Sequence, residues 1–271
     1  MRKKSLIIFF NLASVIVFAQ KQDSLASLRE FVSVCNAYKQ VPLHLSLDYS
    51  ITANFITGEE DTMKAQGEFF IKPEGSYIRF GEMEQIVNDS LALIISDQLQ
   101  QMILYMNAGQ VVSQMKALMG MQVPDSSIVN FSKRYTGSIN LKDKDVSLAQ
   151  VNSRGFLYST DLPKETIEIE YLSKTKTPLK VTMVKRNLIP ISDADTAAVR
   201  SQLGKSAALI TIKDRGYFLV KEQTSTFIYK KIEHDEKIQL PVMISDRIIK
   251  NNSGEYIPAK GFEAYRIDQN F

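Results

Sequence analysis

The sequence is poor in the residues that most catalytic and metal sites require. The 271-residue chain has two histidines, one cysteine and no tryptophan. The single cysteine, Cys35, cannot form an internal disulfide, and it continues a helix-spaced apolar stripe with Leu28 and Val32, so we expect a buried thiol. No His-x-x-His or Cys-x-x-Cys spacing indicates a metal, and there is no Gly-x-Ser-x-Gly elbow or glycine-rich phosphate loop. The sequence therefore predicts no catalytic residue, no metal ion and no cofactor.

The chain also lacks an excess of charge of one sign. It has 33 lysine and arginine residues against 30 aspartate and glutamate residues, and three of the basic ones, Arg2, Lys3 and Lys4, lie at the N-terminus. The rest of the chain is therefore balanced, which leaves no field to attract phosphates or anionic headgroups. This balance argues against a nucleic acid partner. The carboxylates cluster in predicted turns, where we expect them to promote solubility rather than acid–base catalysis.

A hydrophobic run follows these basic residues and is too short to cross a bilayer. Residues 6–18 are almost entirely apolar, and Val17 and Ala19 are small residues at the spacing that signal peptidases recognise. This order predicts a secretory signal peptide over residues 1–20, cut near Ala19 or Gln20. The mature chain is then expected in the periplasm, without a transmembrane segment. The alternative is an N-terminal membrane anchor that stays uncut.

Two segments alternate between apolar and polar residues, which is typical of strands with one buried face. The alternation runs over residues 43–55 and resumes over 63–71. Apolar residues at helical spacing instead predict helices over 23–38 and 108–120. Residues 193–203 could form a short helix or an inserted loop. Long strands near the start of the chain are thus flanked by two helices.

The rest of the chain favours a mostly β (α+β) fold with about ten to twelve strands. The later predicted strands include residues 76–87, 127–138, 217–221, 224–232, 238–249 and 256–267. No linker, repeat or low-complexity tract divides the chain, so residues 21–271 are predicted to form a single domain. A strongly curved sheet needs cover for its apolar concave face, and the predicted helices could supply that cover.

Methionines are concentrated in and beside the second predicted helix. They are Met102, Met106, Met115, Met119 and Met121. Unbranched, polarisable thioether side chains suit a surface that accepts apolar groups of varying shape. The alternative is that these methionines fill an irregular core, which requires the same property of the side chain.

Four parts of the chain are similar to segments that one known family shares. They are Gly67-Glu68-Phe69-Phe70-Ile71-Lys72-Pro73, Tyr77-Ile78-Arg79-Phe80, Ser96-Asp97 with Met102-Ile103-Leu104-Tyr105, and Tyr256-Ile257-Pro258-Ala259-Lys260-Gly261-Phe262. The family that they resemble is the outer-membrane lipoprotein carrier (LolA-like) family. The predicted order of signal peptide, helix, long strands, central helix and further strands is also similar to that family's, so the resemblance spans most of the mature chain.

This resemblance implies an unclosed barrel, in which two or three helices cover the concave face of a strongly curved antiparallel sheet. It also implies a non-enzymatic periplasmic carrier or chaperone whose partner is an acylated lipoprotein or another lipid. The acyl chains would enter an apolar cleft between sheet and helices. Its lining would comprise Leu45, Leu47, Tyr49, Ile51, Phe69 and Ile71 from the strands, and Met115, Leu118 and Met119 from the helix.

The same side chains could instead form a filled core without a cavity. The chain would then be a non-enzymatic assembly or structural module of the cell envelope, built on the same scaffold. A C-terminal strand extension over about residues 205–271 would be its contact surface for an envelope protein partner. An exposed edge strand in that extension would favour this alternative over the carrier.

Overall fold

The computed structural model describes residues 23–106, 108–109, 125–158, 160–203, 208–213 and 215–270. Several predictions lie outside these residues. They are the signal peptide over 1–20, the helix over 108–120 beyond its first two residues, and the helix side of the cleft, Met115, Leu118 and Met119. Residues 108 and 109 are helical.

Strands make up most of the described chain. They are β1 Leu43–Ala53, β2 Met63–Lys72, β3 Gly75–Phe80, β4 Met83–Asn88, β5 Ala92–Ser96, β6 Gln101–Tyr105, β7 Tyr135–Asp143, β8 Val146–Ser153, β9 Glu165–Leu172, β10 Pro178–Ile191, β11 Ala208–Ile212, β12 Gly216–Glu233, β13 Ile248–Lys250, β14 Tyr256–Pro258 and β15 Arg266–Asn270. The helices are α1 Ser24–Cys35, α2 Asp125–Arg134 and α3 Thr196–Leu203. Short 3-10 helices lie at Asn36–Lys39, Glu59–Asp61, Asp193–Asp195 and Ile244–Asp246.

One curved sheet that does not close into a barrel dominates the molecule. Its order is β15-β6-β5-β4-β3-β2-β1-β12-β10-β9-β8-β7, and β11 pairs with the first residues of β12. Consecutive strands are neighbours from β6 to β1 and from β10 to β7, as hairpin connections require. Strand β12 lies between these two halves, paired with β1 on one edge and β10 on the other. The late strand β12 therefore joins the two halves of the sheet.

Helices α1 and α2 lie on one side of the sheet, which we call the helix face. The Asp23 carboxylate caps α1 by accepting a hydrogen bond of 2.9 Å from the backbone N–H of Leu25. The apolar side of α1 packs on strands β8 and β9, through Leu28, Phe31 and Val34 against Ala149, Val151 and Ile169. Helix α2 packs beside α1, where the rings of Phe31 and Phe131 stack with centroids 6.2 Å apart.

Strands β3 to β6 together carry buried residues on both faces of the sheet. On the side away from the helices, a core forms from Tyr77, Ile86, Leu93, Ile95, Met102 and Leu104. Residues 238–265, which we call the C-terminal segment, cover this core with Ile244 and Ile248. On the helix face of the same strands, Val87 and Ala92 pack with Ala108. One sheet thus separates two cores, one under the helices and one under the C-terminal segment.

Two sequence predictions in the first half of the chain are wrong. The strand predicted over 76–87 is the hairpin β3–β4, because Gly81 takes a φ of +59° and reverses the chain. The strand predicted over 127–138 is mostly helix α2, with β7 starting at Tyr135. Ile128 and Phe131 are three residues apart, so a helix places both against α1, and this tertiary contact outweighs the strand-like composition.

Two further predictions in the last part of the chain are also wrong. The strands predicted over 217–221 and 224–232 are one continuous strand, β12, whose polar middle pairs on both edges. The strand predicted over 238–249 is largely irregular and contains only β13 at its end. There the chain crosses the sheet without pairing with it, and its backbone groups bond in turns, such as Arg247 N–H to the Ile244 carbonyl at 3.0 Å.

Candidate functional site

The strand side of the predicted cleft is assembled by the pairing of β1 with β2. In this register Leu45 lies opposite Phe69, Leu47 opposite Gly67, and Ile51 opposite Met63. Side chains alternate between faces along a strand, so all six predicted strand residues share the helix face. Their names are Leu45, Leu47, Tyr49, Ile51, Phe69 and Ile71. Five of them belong to one apolar cluster, and Ile51 lies partly buried beyond it.

Aromatic residues that the sequence analysis did not select complete this cluster. Tyr38 follows α1 and packs against Tyr229 of β12, with ring centroids 5.2 Å apart. Tyr49 contacts Phe227 of β12 at 4.7 Å and Phe80 of β3 at 5.4 Å. The alternation within residues 224–232 could have placed Phe227 and Tyr229 on one face. It could not have shown that this face meets Tyr49, because β12 and β1 are far apart in the chain.

Gly67 allows this cluster to pack closely on the sheet. A Cβ atom at this position would lie 2.7 Å from the Phe69 ring, 3.1 Å from Phe80 and 3.2 Å from Leu47. Those three side chains therefore occupy the space above the glycine. Gly67 entered the sequence analysis only as part of a family-like segment, and its role on the helix face becomes visible in the structure.

Burial along the helix face falls from one end of β1 to the other. Leu45, Leu47 and Ile71 are 8%, 5% and 9% exposed, so they form packed core. At the other end, Met63 lies opposite Ile51 and is 42% exposed, and Met83 of β4, which lies three strands away from β1 and opposite Phe80, is 46% exposed. We call the less buried part, Tyr49, Ile51, Met63, Phe80 and Met83, the apolar strip. The predicted cleft is therefore a filled core at one end and an open apolar surface at the other.

The polar groups beside this cluster are uncharged. Burial raises the pKa of the Tyr38 phenol far above its ordinary value, and burial also raises the pKa of Tyr229. The Tyr38 hydroxyl makes no hydrogen bond of ordinary geometry within the described residues. Tyr49 reaches the Ser225 hydroxyl at 3.5 Å. The site consequently offers apolar contact and a few neutral hydroxyls to a ligand.

In the described ranges, no group of three or more His, Cys, Asp or Glu residues is placed to hold a metal ion. None of the helices described has the length and apolar character needed to cross a bilayer.

The resemblance segments lie in neighbouring strands of the sheet. Gly67 to Pro73 covers most of β2 and the turn after it, Tyr77 to Phe80 lies in β3, and Met102 to Tyr105 lies in β6. The fold that carries them is an open, curved, mostly antiparallel sheet with helices on one face. This is the class of fold that the resemblance implied.

Comparison with known proteins finds similar solved structures. No protein-family model and no curated protein matches the chain. A DUF1329 family protein from Desulfovibrio piger is 10% identical, with a TM-score of 0.30 over 80% of this chain and 96% of that one. A LolA superfamily protein from Nitrosomonas europaea is 10% identical, with a TM-score of 0.24 over 80% and 96%. An outer membrane lipoprotein-sorting protein domain from Vibrio parahaemolyticus is 6% identical, with a TM-score of 0.25 over 78% and 93%.

The LolA superfamily, which the sequence resembles, is thus represented among the similar solved structures. At these identities and TM-scores the likeness carries no argument about function.

Proposed function

We propose that this protein is an exported, non-enzymatic carrier that binds acyl chains of lipoproteins or other lipids on the helix face of its sheet. The observation that carries the proposal is the apolar strip. Five apolar side chains from neighbouring strands β1 to β4 lie on one face there, and two of them, Met63 and Met83, are more than 40% exposed. A contiguous exposed apolar surface is typical of a ligand or partner site.

The chemistry of the strip suits an alkyl chain. Burial of each methylene group stabilises a complex by about 0.8 kcal/mol, so one or two acyl chains can bind without any charged partner. Methionine side chains are flexible and polarisable, which lets Met63 and Met83 adapt to chains of different shape. The predicted signal peptide supports a periplasmic location, where such cargo is available to a carrier.

A second candidate is an assembly or structural module of the envelope that binds a protein instead of a lipid. Two observations favour it. Leu45, Leu47 and Ile71 are packed as a core, and β15, which lies within residues 205–271, forms one end of the described sheet. An edge strand can accept a strand from another protein. The two candidates differ in what accompanies the purified chain.

Native mass spectrometry of the chain from the periplasmic fraction, followed by organic extraction, separates these candidates. A carrier is expected to retain a mass that extracts as an acylated species. A bare chain that also fails to take up a fluorescent fatty acid would contradict the carrier proposal. A protein that co-purifies in place of a lipid would support the assembly module.

A matched pair of variants on β2 tests the site itself. Met63→Glu places a charge on the apolar strip, where an unpaired carboxylate is costly to bury, and we expect fatty-acid affinity to fall by a factor of about 10 or more. Gln66→Glu adds the same charge to the opposite face of the same strand and is expected to leave affinity within about twofold. Both positions are exposed, so neither change should prevent folding. Equal affinities for the two variants would place the lipid elsewhere.

A further inference from the structure

A second apolar pocket lies on the other side of the sheet, where the C-terminal segment crosses β4. Its volume is about 720 Å³, within the range of roughly 300–1,000 Å³ that is usual for small-molecule sites. Its walls are mainly apolar and include Ile86, Leu91, Leu240, Ile244, Ile248 and Tyr256. The apolar strip lies on the helix face, so this pocket is separate from the site proposed above.

The walls of this pocket are held in place by a buried ion pair. Arg247 of the C-terminal segment donates two hydrogen bonds to the Glu84 carboxylate of β4, at 2.8 and 2.9 Å. The Arg247 guanidinium also lies 4.8 Å from the centre of the Phe262 ring. Ile86 and Ile248, two and one residues away from these charges, are 1% and 2% exposed. The pocket is therefore preformed in the folded chain rather than dependent on a mobile loop.

Two charged residues, Lys250 and Glu74, line the rim of the pocket. Lys250 lines it, and its ammonium lies 5.0 Å from the centre of the Tyr256 ring. Within the described part of the chain Lys250 forms no ion pair. Glu74 also lines the pocket, but its carboxylate is 2.6 Å from the Lys72 ammonium, which compensates its charge. Met243 and Ile249 add exposed apolar surface at the same rim, 56% and 47% exposed.

From this arrangement we infer that the pocket binds a single-chain amphiphile with an anionic end, such as a fatty acid. The alkyl chain lies among the apolar walls, and the anionic end meets Lys250. Tyr256 holds the lysine side chain near the opening by a cation–π contact. A neutral alkyl compound would gain the apolar contacts but not the contact with Lys250.

The test uses a chain that carries Met63→Glu, which blocks the strip. Binding of palmitate and of hexadecanol to this chain is measured below their aggregation concentrations. In that background, Ser245→Trp fills the pocket from an exposed wall position, and we expect affinity for both compounds to fall tenfold or more. Lys250→Glu is expected to weaken palmitate by a factor of about three to ten and to leave hexadecanol unchanged. Lys260→Glu, an exposed lysine of the same segment outside the pocket, is the charge control and should leave both unchanged.

Each outcome separates this pocket from the strip. If the Met63→Glu chain still binds palmitate and Ser245→Trp then removes that binding, the result supports the pocket inference. This holds whatever the lipid does at the strip. Palmitate binding unaffected by both Ser245→Trp and Lys250→Glu overturns the inference and leaves the strip proposal intact. Loss of all palmitate binding with Met63→Glu alone assigns the lipid to the strip and overturns the pocket. Equal losses of palmitate and hexadecanol with Lys250→Glu would overturn the role given to the charge.

Discussion

Asp61 is fully buried and ionised in the folded chain. Its carboxylate accepts hydrogen bonds from the backbone N–H groups of Thr57 and Gly58, at 2.6 and 3.1 Å, and pairs with the Lys221 ammonium at 2.5 Å. Lys221 and these N–H groups stabilise the ionised form, so the pKa of Asp61 lies well below its ordinary value. The pairing ties the loop after β1 to β12.

Acid should therefore destabilise the protein partly through Asp61. Because the folded pKa is lowered, the stabilisation is present above the unfolded pKa of about 3.9 and is lost as the pH falls below it. We expect the melting temperature of Asp61→Asn to be about 5 °C or more below wild type at pH 7, with the gap narrowing towards pH 3. The control is Asp48→Asn, whose exposed pair with Lys230 at 2.7 Å should matter little. A constant gap across this range would contradict the prediction.

Gly67 is the second residue whose role depends on its surroundings. Gly67→Ala would place a methyl group 2.7 Å from the Phe69 ring, so the ring must move, and we expect a stability loss of about 1–3 kcal/mol in denaturant unfolding. At Gly155 a new Cβ would meet only the Lys164 side chain, at 3.7 Å, so Gly155→Ala should change stability by less than about 0.5 kcal/mol. Equal effects at the two sites would show that Phe69 repacks freely.

At the scale of elements, the C-terminal segment covers a second core without pairing with the sheet. Strand β15, which follows the segment, joins the sheet next to β6. The cover depends on apolar contacts from Ile244 and Ile248 and on the Glu84–Arg247 ion pair. Both charges are largely buried, so each requires the other. The sheet and the segment are thus coupled at one defined point.

Double-mutant cycles can measure this coupling. Glu84→Gln or Arg247→Met alone should each destabilise the protein by about 3–5 kcal/mol, because each leaves a buried group of the other residue unpaired. The double variant should lose less than the sum, with a coupling energy of roughly 1–3 kcal/mol. The exposed pair Arg79–Asp97, 3.3 Å apart, is the reference and should couple by less than about 1 kcal/mol. Additive losses at Glu84 and Arg247 would mean that the pair does not anchor the segment.

At the scale of the whole molecule, the sheet depends on a strand that is made late in the chain. Strand β12 pairs with β1 and β11 on one edge and with β10 on the other. Without β12, the edges of β1 and β10 would be unpaired, and Tyr49 and Tyr38 would lose their contacts with Phe227 and Tyr229. The N-terminal and C-terminal parts of the chain should therefore fold as one unit.

Two truncations test this dependence. A chain that ends at residue 215 lacks β12 and should not form a soluble folded protein, because two unpaired edges and open apolar surface promote aggregation. A chain that ends at residue 265 lacks only β15 at the end of the sheet and should remain folded. Circular dichroism and soluble yield distinguish the two. A folded chain of residues 21–215 would show that the halves of the sheet are independent.

The sequence by itself determined the strand-rich class of fold and one face of the candidate site. The alternation over residues 43–55 and 63–71 is a local pattern with a period of two, and it correctly placed six apolar side chains on one face. Helix α1 also follows from a local pattern, the helical spacing of its apolar residues, and Asp23 caps it. The family-like segments around Gly67 pointed to the same fold. The domain boundaries and the lining role of these residues remain predictions.

Only the tertiary structure decided which distant residues complete the site and what covers each face. Strand β12 pairs with β1, although the two strands are far apart in the chain. This non-local pairing brings Phe227 against Tyr49. It also brings Tyr229 against Tyr38. Residues 127–134 form helix α2 because a helix places Ile128 and Phe131 against α1. Apolar residues in the C-terminal segment looked like a strand, but they cover a second core. Local periodicity reports how a segment can bury its apolar residues, whereas the partner surface depends on contacts between parts of the chain that are distant in sequence.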